Sequence, residues 1–398
     1  MIPKIDLELG LSVYSTKFPG TKGIIKENNE NFQVIEVISD KASNAISEDN
    51  GLAVYILRKN GIDTTHALRD VEKRFGLVLR ALGLKDSNAV TEQFVQAKTL
   101  SKSLGKIEGK KYSLRRIGFT KKPISKQDMI GNKFKITITN STNTISEFNE
   151  YNNILNFFGY QRFGSRRPIT HLVGKAIIQK QYQEAIDFLL NYSSKYDTEE
   201  NNYYRKLISE RKSDLQVIDQ LPKFMDIEIA ILNSLAKSND QKVTIRQIPL
   251  HMRRFYIQAY QSYIFNKTLS MAFQYEENLF VPQENDVCYD RTGKLGKFQN
   301  ESDQRLTIPL IGHSYFKKTR FDYYIQKILD EEEILPSEFL IKDFQEISVE
   351  GGFRNSSIQC DGFQASNNTI EFQLSRGSYA TVVIREILKP EDPLSCGF

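Results

Sequence analysis

The first candidate for chemistry in this sequence is a single carboxylate on a short polar turn. Asp86 lies within the stretch 83–93, between an apolar pattern of helical spacing and a run of β-forming residues. A turn that is fixed at both ends by regular elements is a good mount for a reactive group, because elements that do not move must position it. Asp is also a common turn residue, so solvated polar surface is the alternative interpretation of Lys85 and Asp86.

A second candidate is a loop that combines rings, an amide and positive charge. It contains, in chain order, Gly159, Tyr160, Gln161, Arg162, Phe163, Gly164, Arg166 and Arg167. Arginines beside aromatic rings suit a polyanion that carries flat bases. The loop therefore indicates a nucleic-acid ligand, although solvated surface is the likelier explanation of each basic cluster taken singly.

The elements on either side of the Asp86 turn follow from residue spacing. Apolar residues three or four apart over 67–82 predict a helix that Asp63 or Thr64 caps and that Gly83 ends. Partial alternation over 89–96 predicts the strand that follows the turn.

The rest of the chain has strand patterns at both ends and helical patterns in the middle. Strands are predicted at 23–26, 32–37, 52–57, 112–117, 134–138 and 370–374. Helices are predicted at 151–158, at 176–189, around 257–266, and from a Ser378 cap to Pro390, with 171–339 mostly helical. This order predicts a sheet domain that is interrupted by an insertion.

Composition describes an ordinary soluble protein and excludes several classes. The 398 residues predict two domains, and 54 Lys and Arg against 49 Asp and Glu give a mild net charge of +5. Three distant cysteines and four histidines without mutual spacing support neither a disulfide framework nor a metal site. A charged start and the lack of a long apolar run predict an intracellular protein. The chain has no G-x-G-x-x-G loop, which argues against a methyltransferase.

Three stretches together resemble the signatures of the TruD family of tRNA pseudouridine synthases. They are 83–93, 156–164 and 377–386, and their order and separation also match the family. One such motif is weak, but three in order are strong. The resemblance is good over roughly 20–175 and 346–398, and in the middle it rests chiefly on 259–266.

The resemblance implies an α+β fold. A pseudouridine-synthase domain with a central mixed or antiparallel sheet is expected, interrupted by an inserted α/β TRUD domain. Residues 1–180 are the expected first part of the catalytic domain, 181–345 the insertion and 346–398 the C-terminal part of the catalytic domain. The cleft between the sheet domain and the insertion is expected to bind RNA.

The activity implied by the resemblance is isomerisation of a uridine in tRNA to pseudouridine, usually at position 13 of the tRNA and without cofactor or metal. The family's essential carboxylate corresponds to Asp86. It acts either as a nucleophile at the sugar or in proton removal while the base is free, and both remain open. It must be ionised, and Lys26 or Lys85 is expected to lower its pKa, with Lys26 favoured because it is predicted on a strand beside 32–36.

The substrate-binding residues implied by the resemblance are three rings and one amide. Extruding a uridine from stacked RNA costs a few kcal/mol, and stacking on aromatic rings returns about 1–3 kcal/mol per base. Phe32, Phe158 and Tyr379 are the predicted rings, and Asn156 is expected to pair with the uracil edge. Core positions for the rings and a cap or turn role at a helix end for Asn156 are the alternatives.

Arg162, Arg166 and Arg167 are the predicted contacts to RNA phosphates, which position RNA without specifying its sequence. We expect a cytoplasmic monomer with tRNA as its partner, no bound metal and no membrane attachment. The alternative function is a catalytically silent RNA-binding protein on the same scaffold. The presence of Asp86 together with Asn156 and Tyr379 argues against this alternative.

Overall fold

The structure is a computed structural model that describes residues 1–47, 50–85, 87–100, 104–142, 145–151, 153–211, 216–300, 303–315 and 318–398. Its α-helices are α1 (Lys4–Glu8), α2 (Asp40–Asn44), α3 (Thr64–Phe75), α4 (Thr170–Ile178), α5 (Tyr182–Asn191), α6 (Glu199–Glu210), α7 (Val217–Gln220), α8 (Asp226–Lys237), α9 (Gln241–Gln247), α10 (Leu250–Gln274), α11 (Asp322–Glu331) and α12 (Ala380–Leu388). Its strands are β1 (Phe32–Ile38), β2 (Leu52–Asn60), β3 (Leu79–Ala81), β4 (Val90–Ala97), β5 (Lys106–Glu108), β6 (Tyr112–Thr120), β7 (Met129–Thr137), β8 (Asn153–Leu155), β9 (Val287–Tyr289), β10 (Leu295–Lys297), β11 (Arg305–Leu310), β12 (Gly352–Asn355), β13 (Ser357–Gln359), β14 (Asp361–Ser366) and β15 (Thr369–Ser375).

The central sheet joins the two ends of the chain. Within the described residues it has nine strands in the order β14-β15-β7-β1-β4-β2-β6-β5, and β3 pairs with β4 outside this path. β1 and β4 run parallel, whereas the other neighbours are antiparallel, so the sheet is mixed as expected. The C-terminal strand β15 pairs with β7, and β14 pairs with β15, so these two strands complete a sheet that the first third of the chain began.

The middle of the chain is less purely helical than its sequence predicts. Besides α4 to α11 it contains β9, β10 and β11, which form a small sheet with β12 in the order β10-β9-β11-β12. Helix α10 packs against α4 and also holds the N-terminal segment, since Asn266 Nδ2 donates to Leu9 O and Ser270 Oγ donates to Gly10 O. The domain limits at 180/181 and 345/346 stay a prediction. None of the helices in the described parts of the chain is long and apolar enough to cross a membrane.

The helix before the Asp86 turn is shorter than predicted. The Asp63 cap is confirmed, since its carboxylate accepts the His66 N–H at 3.0 Å. The helix ends at Phe75, however, because Gly76 takes the left-handed conformation at φ 66°. Residues 79–81 then form an edge strand on β4, so the prediction of one helix as far as Gly83 is wrong.

Two further predictions about the site segments are corrected. Residues 23–26 form no strand: Ile24 makes an isolated bridge to Thr139, and Lys26 has a left-handed φ of 57°. In the described part of 151–158, which leaves out residue 152, no helix forms, because Asn153–Leu155 is strand β8 and irregular chain follows it. The residues 154–158 are all buried, so their apolar pattern reflects enclosure on every side and not one face of a helix.

Two predicted helices have different limits. The pattern over 176–189 belongs to two helices, α4 and α5, which Lys180 separates with a left-handed φ of 61°. Helix α12 begins at Ala380 with Tyr379 at its cap position, so Ser378 does not cap it.

A fully buried ion pair fastens the N-terminal segment to α12. The Arg385 guanidinium donates through Nε to Asp6 Oδ2 at 2.6 Å and through Nη2 to Leu11 O at 2.9 Å. The hydroxyl of Tyr160 donates to the other Asp6 oxygen at 2.8 Å. Both charged side chains are 0% exposed. Burying two charges is costly in itself, so loss of one partner leaves an uncompensated charge in the core.

We expect Arg385→Met to lower the free energy of unfolding by about 3–5 kcal/mol, because the Asp6 carboxylate loses its partner inside the protein. Urea unfolding at neutral pH measures this loss. The double variant Asp6→Leu/Arg385→Met should recover part of it, and Lys4→Met, which alters an exposed charge on the same helix as Asp6, is the control. A single variant as stable as the wild type would contradict the assigned role.

Candidate active site

The residues directly before Asp86 are fixed by side chains from α3 and β4. Gln93 Nε2 donates to Gly83 O at 2.9 Å, and Thr64 Oγ1 donates to Gln93 Oε1 at 2.8 Å. The Thr64 hydroxyl also accepts the Lys85 N–H at 3.0 Å. Asp86 itself lies outside the described residues. The residues directly before it are therefore bonded to two regular elements, which is the kind of mount that the sequence predicts.

Lys85 extends onto the sheet and not into solvent. Its Nζ donates to Asn132 Oδ1 at 2.6 Å and lies 3.5 Å from Glu36 Oε1. The Glu36 side chain is 0% exposed, and its other oxygen accepts the Phe94 N–H at 3.0 Å. Burial raises the pKa of Glu36, against the opposing effects of Lys85 and the Phe94 N–H. This ammonium is thus already engaged by two polar groups.

Phe32 and Glu36 share one face of β1, and the register extends that face across the neighbouring strands. Glu36 pairs with Asn132 on β7, and Phe32 pairs with Ile136 on the same strand. The Phe32 ring is 6% exposed and packs edge to face on Phe134 with centroids 6.3 Å apart. Lys26 Nζ lies 4.8 Å from the Phe32 centroid. The contacts of Lys26, and those of Lys85 with Asn132 and Glu36, therefore lie along β1. Phe32 has a core contact with Phe134, besides its predicted stacking role.

Asn156 is held by hydrogen bonds on both sides of its amide. Arg354 Nη2 donates to its Oδ1 at 2.6 Å, and its Nδ2 donates to Asn355 O at 2.9 Å. Arg354 Nε also donates to Asn156 O at 3.1 Å. The helix-capping alternative for Asn156 does not apply, since this segment forms no helix. Its pairing with uracil stays a prediction.

Phe158 and Tyr379 are neighbours, as their assignment to one site requires. Their ring centroids are 6.1 Å apart, and Phe265 of α10 packs edge to face on Phe158 at 5.5 Å. The Arg354 guanidinium lies 4.0 Å from the Phe158 centroid, and the Arg162 guanidinium lies 5.5 Å from it. Two cations on one ring create a positive, ring-rich surface. Burial lowers the pKa of Arg354 to about 10, so it stays charged at neutral pH.

The three predicted phosphate contacts differ in their surroundings. Arg166 is exposed, and Arg162 is half-buried between the rings of Phe158 and Phe255. Arg167 instead bonds within the protein, through Nη1 to Glu228 Oε1 at 3.2 Å and through Nη2 to two carbonyl oxygens of α5 at 2.9 Å. These bonds give Arg167 a structural role, while the RNA contacts of all three residues stay predictions.

Comparison with known proteins gives matches that cover almost the whole chain. The profile of the family tRNA pseudouridine synthase D (TruD) matches residues 8–387. A chain of Sulfurisphaera tokodaii called "Probable tRNA pseudouridine synthase D" is 32% identical over 382 residues, with 92% of this chain and 93% of the relative covered. A chain of the same description from Pyrobaculum islandicum is 30% identical over 422 residues, with coverage of 100% and 99%. This chain belongs to the TruD family.

A solved structure shows that the TruD fold is shared. The crystal structure of the putative tRNA pseudouridine synthase D (TruD) from Methanosarcina mazei superposes with a TM-score of 0.77 at 26% identity, and 99% of each chain is covered. The expected α+β fold with a mixed central sheet is thereby confirmed. Among the residues that the structure describes, no group of three or more His, Cys, Asp or Glu side chains is arranged to hold a metal ion.

Sequence reasoning assigned no role to three polar residues of this TruD-family site. Glu36 carries a visible signal, because it is a carboxylate at an inward position of an otherwise apolar alternation in β1. Asn132 carries no signal of its own, because its contact with Lys85 depends on the β1–β7 pairing. Arg354 carries no such signal, since its partners lie about two hundred residues before it and 23 residues after it.

The raised pKa of Glu36 predicts a particular pH dependence of stability. Between its ordinary value of 4.5 and its raised pKa, the folded chain binds more protons at Glu36 than the unfolded chain does. The stability of the wild type relative to Glu36→Gln should therefore fall as pH rises through this window, by about 1.4 kcal/mol for each unit of elevation, and then level off.

Urea unfolding of both proteins at a series of pH values from about 4.5 to 8 measures this difference. Glu147→Gln, at an exposed carboxylate, is the matched control. If the wild type and Glu36→Gln show parallel pH profiles, the buried position does not raise the pKa of Glu36.

Proposed function

We propose that this TruD-family protein isomerises a uridine of tRNA, at position 13, to pseudouridine, and that Asp86 is its catalytic carboxylate. The observation that carries the proposal is the family match over 8–387, which includes all three motifs. The relatives' own description as probable tRNA pseudouridine synthases supports the activity. The hydrogen bonds that fix residues 83–85 supply the rigid mount that such a carboxylate needs.

The reaction breaks the bond between ribose C1′ and uracil N1 and forms a bond between C1′ and uracil C5. The C5 proton leaves and N1 gains one, so atoms and electrons balance without a cofactor. An ionised Asp86 either attacks the sugar or takes part in moving the C5 proton, and both roles need a carboxylate that is not protonated. A neighbouring cation favours that state.

Of the two candidate cations, we favour Lys26. The Lys85 ammonium already bonds Asn132 and pairs with the Glu36 carboxylate. Because Glu36 is buried, it needs this cation more than an exposed carboxylate would. Lys26 comes from the loop before β1, where its left-handed backbone turns the chain directly ahead of Phe32. Its Nζ lies 4.8 Å from the centroid of the Phe32 ring.

The extruded uridine would then lie near Phe158, Tyr379 and Asn156. The two rings are adjacent, and the guanidinium groups over Phe158 attract the RNA backbone as well as the base. Arg162 and the exposed Arg166 are the phosphate contacts that we favour, because Arg167 is bonded inside the protein. Such contacts hold the tRNA in place while the flipped base provides specificity.

We expect Asp86→Asn to lower the rate of pseudouridine formation by at least about 10³-fold, as removal of an essential catalytic group does. Tritium release from tRNA transcripts labelled at uridine C5 measures the rate. The affinity for tRNA should change by less than about 3-fold, because phosphate contacts dominate it. Asp40→Asn at an exposed site is the control. Undiminished release by Asp86→Asn would refute the role of Asp86.

The position in tRNA is tested separately. A transcript with cytidine in place of uridine 13 should release no tritium, whereas transcripts with other uridines replaced should release it normally. Mapping of the product by mass spectrometry identifies the modified nucleotide. Release that persists without uridine 13 would leave the isomerase assignment intact and overturn the assigned position.

A further inference from the structure

Arg354 connects the segments that form the candidate nucleoside site. It lies on β12, and its guanidinium donates to Asn156 O and Asn156 Oδ1, and through Nη1 to Gly377 O at 3.0 Å. The same group covers the Phe158 ring at 4.0 Å. One side chain therefore bonds the Asn156–Phe158 segment to the loop that leads into Tyr379.

The hydrogen bonds of Asn156 allow one orientation of its amide. A guanidinium only donates hydrogen bonds and a carbonyl oxygen only accepts them. The atom that faces Arg354 must therefore be the amide oxygen, and the atom that faces Asn355 O must be the amide nitrogen. A rotated amide would direct its N–H groups at the guanidinium and its oxygen at the carbonyl, and would lose both bonds.

This orientation matters for reading a base. An amide oxygen accepts two hydrogen bonds and an amide nitrogen donates two, so Asn156 keeps one acceptor and one donor for a ligand. Uracil presents its N3–H donor beside carbonyl acceptors. An amide in the orientation found here matches this edge, because its oxygen can accept from N3–H while its N–H donates to a carbonyl oxygen. Cytosine presents an N3 acceptor beside an amino donor, which requires the amide reversed.

Among the residues that the structure describes, no carboxylate neutralises the positive charge of Arg354. Within the described part of the chain, no carboxylate lies within the 4.0 Å ion-pair distance of the Arg354 or the Arg162 guanidinium. Among the described residues, the acceptors of Arg354 are neutral oxygens of Asn156, Phe157 and Gly377. Its charge is therefore directed at the Asn156 amide and the Phe158 ring, and strengthens the remaining Asn156 N–H as a donor.

We propose that Arg354 is a positioning residue for the isomerisation: it fixes the Asn156 amide in the orientation that pairs with the uracil edge, against the Phe158 ring. This inference rests on the proposed function, since it takes Asn156 as the reader of uracil. Arg354 acts through Asn156, and it is not itself a catalytic group. A lysine in its place keeps the charge but lacks the planar set of donors that bonds Asn156 and Gly377 together.

Kinetics of Arg354→Lys test the positioning role. We expect the kcat for tritium release to fall on the order of 100-fold, as a misplaced substrate contact does. The KM for tRNA should stay within about 3-fold, because phosphate contacts dominate it. The control is Arg253→Lys. Like Arg354, Arg253 bonds a carbonyl oxygen and lies over a phenylalanine ring, but it lies on α10, in the middle of the chain. Full kcat in Arg354→Lys would overturn the proposal.

A double-mutant cycle shows whether Arg354 acts through Asn156. In an Asn156→Ala background, Arg354→Lys should lower kcat by less than about 3-fold further, because the side chain that it positions is gone. Two losses that multiply in the double variant would mean that Arg354 acts independently of Asn156. That result would also overturn the proposal.

A spectroscopic measurement keeps this test separate from the test of function. With ¹⁵N-asparagine labelling, the side-chain amide signals of Asn156 are those that disappear in Asn156→Ala. Arg354→Lys should shift them and speed their hydrogen exchange, whereas Arg253→Lys should leave them unchanged. Unchanged signals in Arg354→Lys would overturn the proposal even in an active enzyme. A wild type without tritium release would refute the proposed function, while the Asn156 signals would still report on the amide.

Discussion

The buried charge of Arg385 is the constraint on which the assembly of this protein depends. Because a guanidinium without a partner is intolerable in the core, Asp6 and the carbonyl groups of the N-terminal segment must lie against α12. The Tyr160 hydroxyl on the same Asp6 carboxylate adds the loop after Phe158 to this arrangement. These bonds hold three segments together: the N-terminal residues, the loop that contains Tyr160, and α12. The adjacent positions of Phe158 and Tyr379 follow from this, since Tyr379 is the residue before α12.

Two kinds of buried charge surround the site, and they do different work. On the sheet, Lys85 neutralises Glu36 and bonds Asn132, so this cluster is internally balanced and fixes the chain before Asp86. Around Phe158, Arg354 bonds neutral oxygens and faces rings, so its charge remains available to a ligand. A balanced cluster suits the mount of a reactive group. A cluster with excess positive charge suits the place where a polyanion or a polarised base binds, because the ligand supplies the negative charge that the cluster lacks.

The sequence predicts local features well where one residue decides them. The Asp63 cap, the strands around 32–38, 90–97 and 369–375, and α10 all appear, and the three motifs identify the family and fold. It fails where tertiary contacts decide. Gly76 ends α3 early because β4 offers an edge for residues 79–81, and residues 154–158 look helical because the core encloses them on all sides. Arg354 is invisible for the same reason, since its partners lie about two hundred residues before it and twenty after it.

The distribution of the site along the chain explains why its parts are hard to read separately. Lys26 and Phe32 precede residues 83–85, Asn156 and Phe158 follow the first sheet strands, and β12 and the loop before α12 come near the end. No contiguous third of the chain contains the whole set. The segments of the proposed nucleoside site are brought together by long-range contacts, among them the pairing of β15 with β7 and the ion pair between α12 and the N-terminal segment. Because such contacts hold the Asn156 amide and the proposed rings in place, we expect RNA binding to require little ordering of them.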